Sequence, residues 1–214
     1  MKTSVKIPLI FWFLLVIFWG TYRYFIRLPE ELDELIIKPI VWIGGVFYIV
    51  LFLEKRSLSS IGWTTYKFFE NLYLGWGIGA FFALEGMFVN AIKYRGLLFF
   101  PMGLTAFDLT RILALSLATG LSEETVFRGY IFSRFSESLK NEWLANILSS
   151  LMFSITHLPI ALFVLQYNIS MLISYEIMLF VLGLANGFIF ARRKSIVAPT
   201  ISHALWNLAV VLFR

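Results

Sequence analysis

The chain has 214 residues, of which 59% are apolar and only 14% charged, with a mean hydropathy of +0.81. Soluble domains carry roughly 45–50% apolar and about 25% charged residues, so the excess must be solvated by lipid. The absence of cysteine excludes a disulfide framework, a thiol nucleophile and a thiolate metal site. The net charge of +5 is spread over short segments between apolar runs. It reads as topology charge and lipid contact, not as a nucleic-acid surface.

A bilayer-spanning helix needs about 20 mainly apolar residues. In chain order, such runs are predicted at Ile7–Phe25, Ile36–Leu53, Leu72–Ile92, Leu104–Leu121 with a continuation to Phe135, Trp143–His157, Ile169–Ala191 and Ala198–Phe213. Lipid leaves backbone polar groups no partners, and runs of this length are too long for barrel strands. The expected fold is therefore all-α: a polytopic transmembrane bundle of about seven to eight helices, in one domain spanning 1–214. The first run lacks a small-x-small cleavage site after it and is read as a retained helix.

Charged connectors separate the spans, among them Arg27–Lys38 with its four acids. With the N-terminal segment inside, ten basic residues fall on the cytoplasmic side (Lys2, Lys6, Lys55, Arg56, Lys67, Arg134, Lys140, Arg192, Arg193, Lys194) against six outside (Arg23, Arg27, Lys38, Lys93, Arg95, Arg214).

Ionisable groups inside bilayer helices are functional candidates by default. Here they are Glu85, Asp108, Arg111, Glu123, Glu124, Arg128, His157, Glu176 and His203. Glu124 and Arg128 are four apart and face one another on a helix, whereas Glu123 points about 100° away and is left for another partner. Asp108 and Arg111, three apart, are expected to pair. Glu85 reads as a helix-to-helix hydrogen bond or a cavity group, and Glu176 has no assignment.

Both histidines of the chain lie in apolar runs. His157 follows Phe153 by four residues, and Pro159 is expected to end or kink the helix there. His203 and Asn207 share a helical face at i, i+4. Glu123 and His157 are each 17 residues from Lys140 in an intervening turn. Both therefore lie roughly 25 Å along antiparallel neighbours, at matching height. Gly75, Gly77, Gly79, Gly183 and Gly187 read as small-residue packing faces.

A carboxylate and an imidazole can together orient and deprotonate a water, and donors such as His203 and Asn207 can stabilise the oxyanion of amide hydrolysis. A zinc site of His157, His203 and one glutamate stays open as the competing reading. Two further alternatives are a non-catalytic immunity protein that binds a bacteriocin or its receptor and a cation-coupled transporter.

Glu123-Glu124-Thr125-Val126-Phe127-Arg128-Gly129, then Phe153-x-x-x-His157, then Ser195–Asn207 with His203 and Asn207, resemble the three ordered motifs of the CPBP family of intramembrane proteases. That family includes the type II CAAX prenyl endopeptidases and the bacterial Abi proteins of bacteriocin processing and immunity. The resemblance covers about 104–212. It implies that Glu123 and His157 activate water, that His203 and Asn207 form the oxyanion site, and that Glu124 and Arg128 set charge and geometry. It also implies a hydrophobic or membrane-associated peptide substrate, with or without a lipid tail, and residence in a bacterial or archaeal cell membrane. CAAX-processing relatives open toward the cytosol, whereas the charge count above puts Glu123 a helix length from the cytoplasmic turn.

Overall fold

The computed structural model describes residues 5–26, 28–98 and 104–213. Helix is the only regular structure among them. Seven helices follow one another: α1 (Lys6–Phe25), α2 (Glu30–Leu53), α3 (Phe68–Tyr94), α4 (residues 106–139), α5 (Glu142–Val164), α6 (Ile169–Arg193) and α7 (Val197–Phe213). Five of them, α1, α2, α3, α5 and α6, are long and apolar enough to cross a membrane. The chain is thus an integral membrane helical bundle, as its composition requires. Large apolar side chains such as Phe13, Phe52, Phe69, Phe81 and Phe88 stay exposed on its outer faces, where lipid takes the place of protein neighbours.

α4 is the central element. At 1.5 Å per residue its 34 positions (106 to 139) extend about 50 Å. It begins at a capping box in which Thr105 and Asp108 satisfy each other's backbone amides. Between Thr125 and Phe132 it widens into π-helical turns, and every residue of that stretch is buried. Gly129 lies there because a Cβ would stand 2.8 Å from the Ile61 carbonyl oxygen. Side chains also anchor the stretch: the Trp63 indole donates to Thr125 Oγ1 at 3.0 Å, and Arg134 donates to Glu54 and Ser60.

Asn141 caps the start of α5 and Asn168 that of α6, each accepting from the amide three residues on. α3 and α7 approach closely through Gly75 and Gly79. A Cβ on the first would meet the Ala198 carbonyl at 2.6 Å, and one on the second Leu205 Cδ1 at 2.5 Å. Gly183 and Gly187 seat α6 against Ser150 and Asn146 of α5 in the same way. Gly77 departs from the predicted face: nothing lies within 4 Å of its Cβ position, since two residues' separation turns it about 200° from Gly75.

Two other expectations are corrected. Arg27–Lys38 is not a connector throughout, for α2 begins at Glu30, directly after Pro29. Glu30 and Glu31 occupy its first turn, where acids suit the helix dipole, and Asp33, Glu34 and Lys38 are buried. Arg111 does not pair with Asp108. Its Nε donates to Glu31 at 2.5 Å and its terminal nitrogen to Glu30 at 3.3 Å, while Asp108 is committed to the Thr105 cap. A residue three positions away competes poorly with a neighbouring helix that presents two carboxylates.

Candidate active site

The site is assembled from α2, α4, α5, α6 and α7 around Glu123, which is only 2% exposed. The adjacent carboxylates point apart, as helical geometry demands. Glu124 turns to Arg128, with Oε2 3.2 Å from Nε. Its other oxygen accepts from His203 Nδ1 at 2.7 Å and from Asn186 Nδ2 at 3.0 Å. The Arg128 guanidinium lies over the Phe153 ring, 4.5 Å from its centroid, so the ion pair is held dry between α4, α5 and α6.

Glu123 turns the other way. Its Oε1 accepts from Lys38 Nζ of α2 at 2.7 Å and lies 3.7 Å from His157 Nε2. Its Oε2 lies 3.6 Å from His203 Nε2 and accepts no hydrogen bond from the described residues. Both imidazole separations exceed a direct hydrogen bond, and a water lying off the line between the groups can bridge each.

The backbone fixes the orientation of the His157 ring. Nδ1 is 2.9 Å from the Phe153 carbonyl oxygen. A carbonyl only accepts, so Nδ1 donates and Nε2 is the nitrogen that faces Glu123. Local structure produces this arrangement. Pro159 offers no amide to the Ile155 carbonyl, the helix loosens at His157, and α5 continues in wide turns to Val164. The proline therefore loosens the helix without ending it.

Glu123, His157, His203 and Asn207 all line one cavity of about 450 Å³, together with Lys38, Thr119 and Tyr175. Glu85 is outside it. Glu176, on α6, accepts from the Ser154 hydroxyl, one turn before His157.

An ion chain leads from Glu123 to the cavity mouth. Lys38 Nζ also donates to Glu34 Oε2 at 2.8 Å, and that oxygen accepts from Thr119 Oγ1 at 2.7 Å. Arg23 of α1 then bridges Glu34 and Asp33 at 2.7 and 2.6 Å. Sequence reasoning missed Lys38, Glu34, Arg23 and Asn186. The Glu34–Lys38 spacing of four and a lone Asn in the apolar run of α6 were the available signals.

The geometry does not suit the zinc alternative. A divalent cation on Glu123 would stand beside the Lys38 ammonium. Among the described residues no group of three or more His, Asp or Glu side chains could hold a metal ion.

A polytopic helical membrane protein with paired carboxylates, two imidazoles and an amide around one buried cavity is the class that the fold and the site define. Residues 105–209 match the family described as type II CAAX prenyl endopeptidase Rce1-like. That match takes in just under half of the chain and supports the CPBP family of intramembrane proteases as its family. No curated protein and no solved structure matches it.

Proposed function

We propose that the chain hydrolyses a peptide bond inside the membrane with a water activated by Glu123 and His157. The observation that carries this reading is the buried Glu123 carboxylate, whose Oε2 has no donor among the described residues and whose two oxygens lie 3.7 and 3.6 Å from His157 and His203 Nε2 in one cavity. A water between Glu123 and His157 gives one proton to Glu123 and directs the other to His157, and its oxygen attacks the carbonyl carbon. The carbonyl oxygen becomes the oxyanion. His203, held at Nδ1 by Glu124, offers Nε2–H to it, and Asn207 offers its amide N–H. As the tetrahedral intermediate collapses the C–N bond breaks, and Glu123 returns its proton to the leaving amine. One water is consumed, an acid and an amine are released, and no covalent intermediate forms.

Glu124, Arg128 and Asn186 hold His203 in the orientation that this requires. Lys38 holds Glu123 Oε1, so that Oε2 is the oxygen turned to the substrate. The substrate class is a hydrophobic or membrane-associated peptide, because the cavity lies among membrane helices and sets Trp19, Leu115, Leu179 and Trp206 beside its polar groups.

The test is cleavage of membrane-anchored amide reporters by purified protein in bilayers. Glu123→Gln and His157→Ala should each lower turnover by about 10²–10⁴-fold, with melting temperature showing that the fold persists. Parent-like turnover in Glu123→Gln would overturn the mechanism.

A further inference from the structure

α7 packs against both α3 and α4, and the space left between those two helices is a second cavity. Its volume is about 670 Å³, larger than that of the candidate active site. Gly75 of α3 seats against Ala198 and Ile201, and Gly120 of α4 against the Thr200 carbonyl, so α7 forms the back wall. Trp63 and Phe68 stand at the outer edge, on the connector before α3 and on its first turn, while Leu72, Leu121 and Ile201 lie deeper.

Three threonines apart, the lining side chains are all apolar or aromatic. One of the three is unlike the others. Thr200 is only 6% exposed, and its hydroxyl has no hydrogen-bond partner among the described residues. A buried hydroxyl in that state calls for an acceptor. It stands one turn inside the end of α7, near the depth of the ester groups of a lipid whose phosphate lies at that end.

The charge around the mouth supplies the second half of the site. The segments that frame it, 63–72 and 192–201, hold four cations, Lys67, Arg192, Arg193 and Lys194, and one carboxylate, Glu70. Glu70 is shared between Lys67 at 3.4 Å and Arg193 at 3.0 Å, and Arg192 pairs with Glu142 of α5. With both carboxylates counted against all four cations, two positive charges remain in excess. Lys194 is exposed and forms no ion pair among the described residues. Lys67 lies over the Tyr66 ring, 5.7 Å from its centroid, and aromatic and basic side chains placed together in this way mark the headgroup layer.

We infer that this cavity binds an anionic glycerophospholipid, with one acyl chain in the gap between α3 and α4, its ester carbonyl at Thr200 and its phosphate at Lys67 and Lys194. A soluble anion would leave the apolar wall unfilled, and a neutral lipid would leave the surplus charge unmet. The lipid also braces the helices that carry the candidate active site. Trp63 donates to Thr125, two residues past Glu123, and Thr200 precedes His203 by one turn. The site does not rest on the proteolytic reading.

The test is thermal unfolding of delipidated protein in dodecyl maltoside, titrated with dioleoyl phosphatidylglycerol or dioleoyl phosphatidylcholine, with native mass spectrometry counting retained lipids. Phosphatidylglycerol should raise Tm and stay bound at one molecule per chain, and phosphatidylcholine at the same mole fraction should do neither. Lys67→Asn and Lys194→Asn suit the positive φ of 52° and 50° at those positions. Each should weaken the apparent affinity for phosphatidylglycerol about 5-fold, and the two together about 30-fold. Leu72→Trp fills the gap and should abolish both retention and the gain in Tm; should it fail to fold, Thr65→Trp at the rim replaces it. Equal gains from the two lipids, or from inorganic phosphate, overturn the inference. So does a double lysine variant within 2-fold of the parent, or a folded tryptophan variant that retains phosphatidylglycerol as the parent does.

Discussion

Replacing Lys38 with methionine removes a cation that serves two buried carboxylates while keeping the length and apolar stem of the side chain. Lys38 Nζ is 2.7 Å from Glu123 and 2.8 Å from Glu34, the three side chains are between 3% and 11% exposed, and the ammonium lies 5.1 Å from the Trp42 ring centroid. Breaking a buried pair by deleting one member costs about 3–5 kcal/mol, since the survivor stays buried and uncompensated. Glu34 keeps Arg23 and Thr119, so most of this cost falls on Glu123. At roughly 2–4 °C per kcal/mol for a chain of this size, Lys38→Met should lower Tm by about 6–20 °C. The discriminating measurement is a double-mutant cycle. Glu123→Gln combined with Lys38→Met leaves no unpaired charge at Glu123, so the double variant should be more stable than the sum of the single effects by at least about 1 kcal/mol. Thermal and denaturant unfolding of the four proteins in one detergent would give the cycle. Effects additive within about 0.5 kcal/mol would refute the buried ion pair as the structure draws it.

Two further outcomes follow from other parts of the bundle. Asn207→Ala should lower kcat by about 10²–10³-fold with little change in KM, the pattern of a donor used only in the transition state; a pure KM effect would remove Asn207 from the oxyanion site. Gly75→Val should destabilise by at least about 1–3 kcal/mol through overpacking against Ala198, whereas Gly77→Val, with open space around it, should leave Tm near that of the parent. Equal melting temperatures for the two would contradict the α3–α7 approach.

Much of the site was legible along the chain because its geometry is local or symmetric. The spacing of four between Glu124 and Arg128 and the divergence of Glu123 are properties of any helix. Equal counts from Lys140 place Glu123 and His157 at one height on a helical hairpin, and their side chains stand 3.7 Å apart. His203 and Asn207 were visible as one face of α7. What escaped were partners chosen between distant segments. Lys38 meets Glu123 across 85 positions and Asn186 meets Glu124 across 62, and no periodicity encodes which helix will lie beside α4. Arg111 shows the same limit, since a plausible neighbour three residues away lost to two carboxylates on another helix.

Composition alone therefore determined the solvent, the helical class and the scarcity of buried ionisable groups, because lipid penalises every unpaired polar atom and leaves few arrangements open. The motif order determined which carboxylates and imidazoles could meet. Only the tertiary structure decided that α2, predicted as a spanning run behind a charged connector, carries the cation that clamps Glu123. It also decided that α7, packing against both α3 and α4, leaves a second cavity between them. Both are consequences of which helix faces pack together, a property of the whole bundle's shape and charge that no single segment contains.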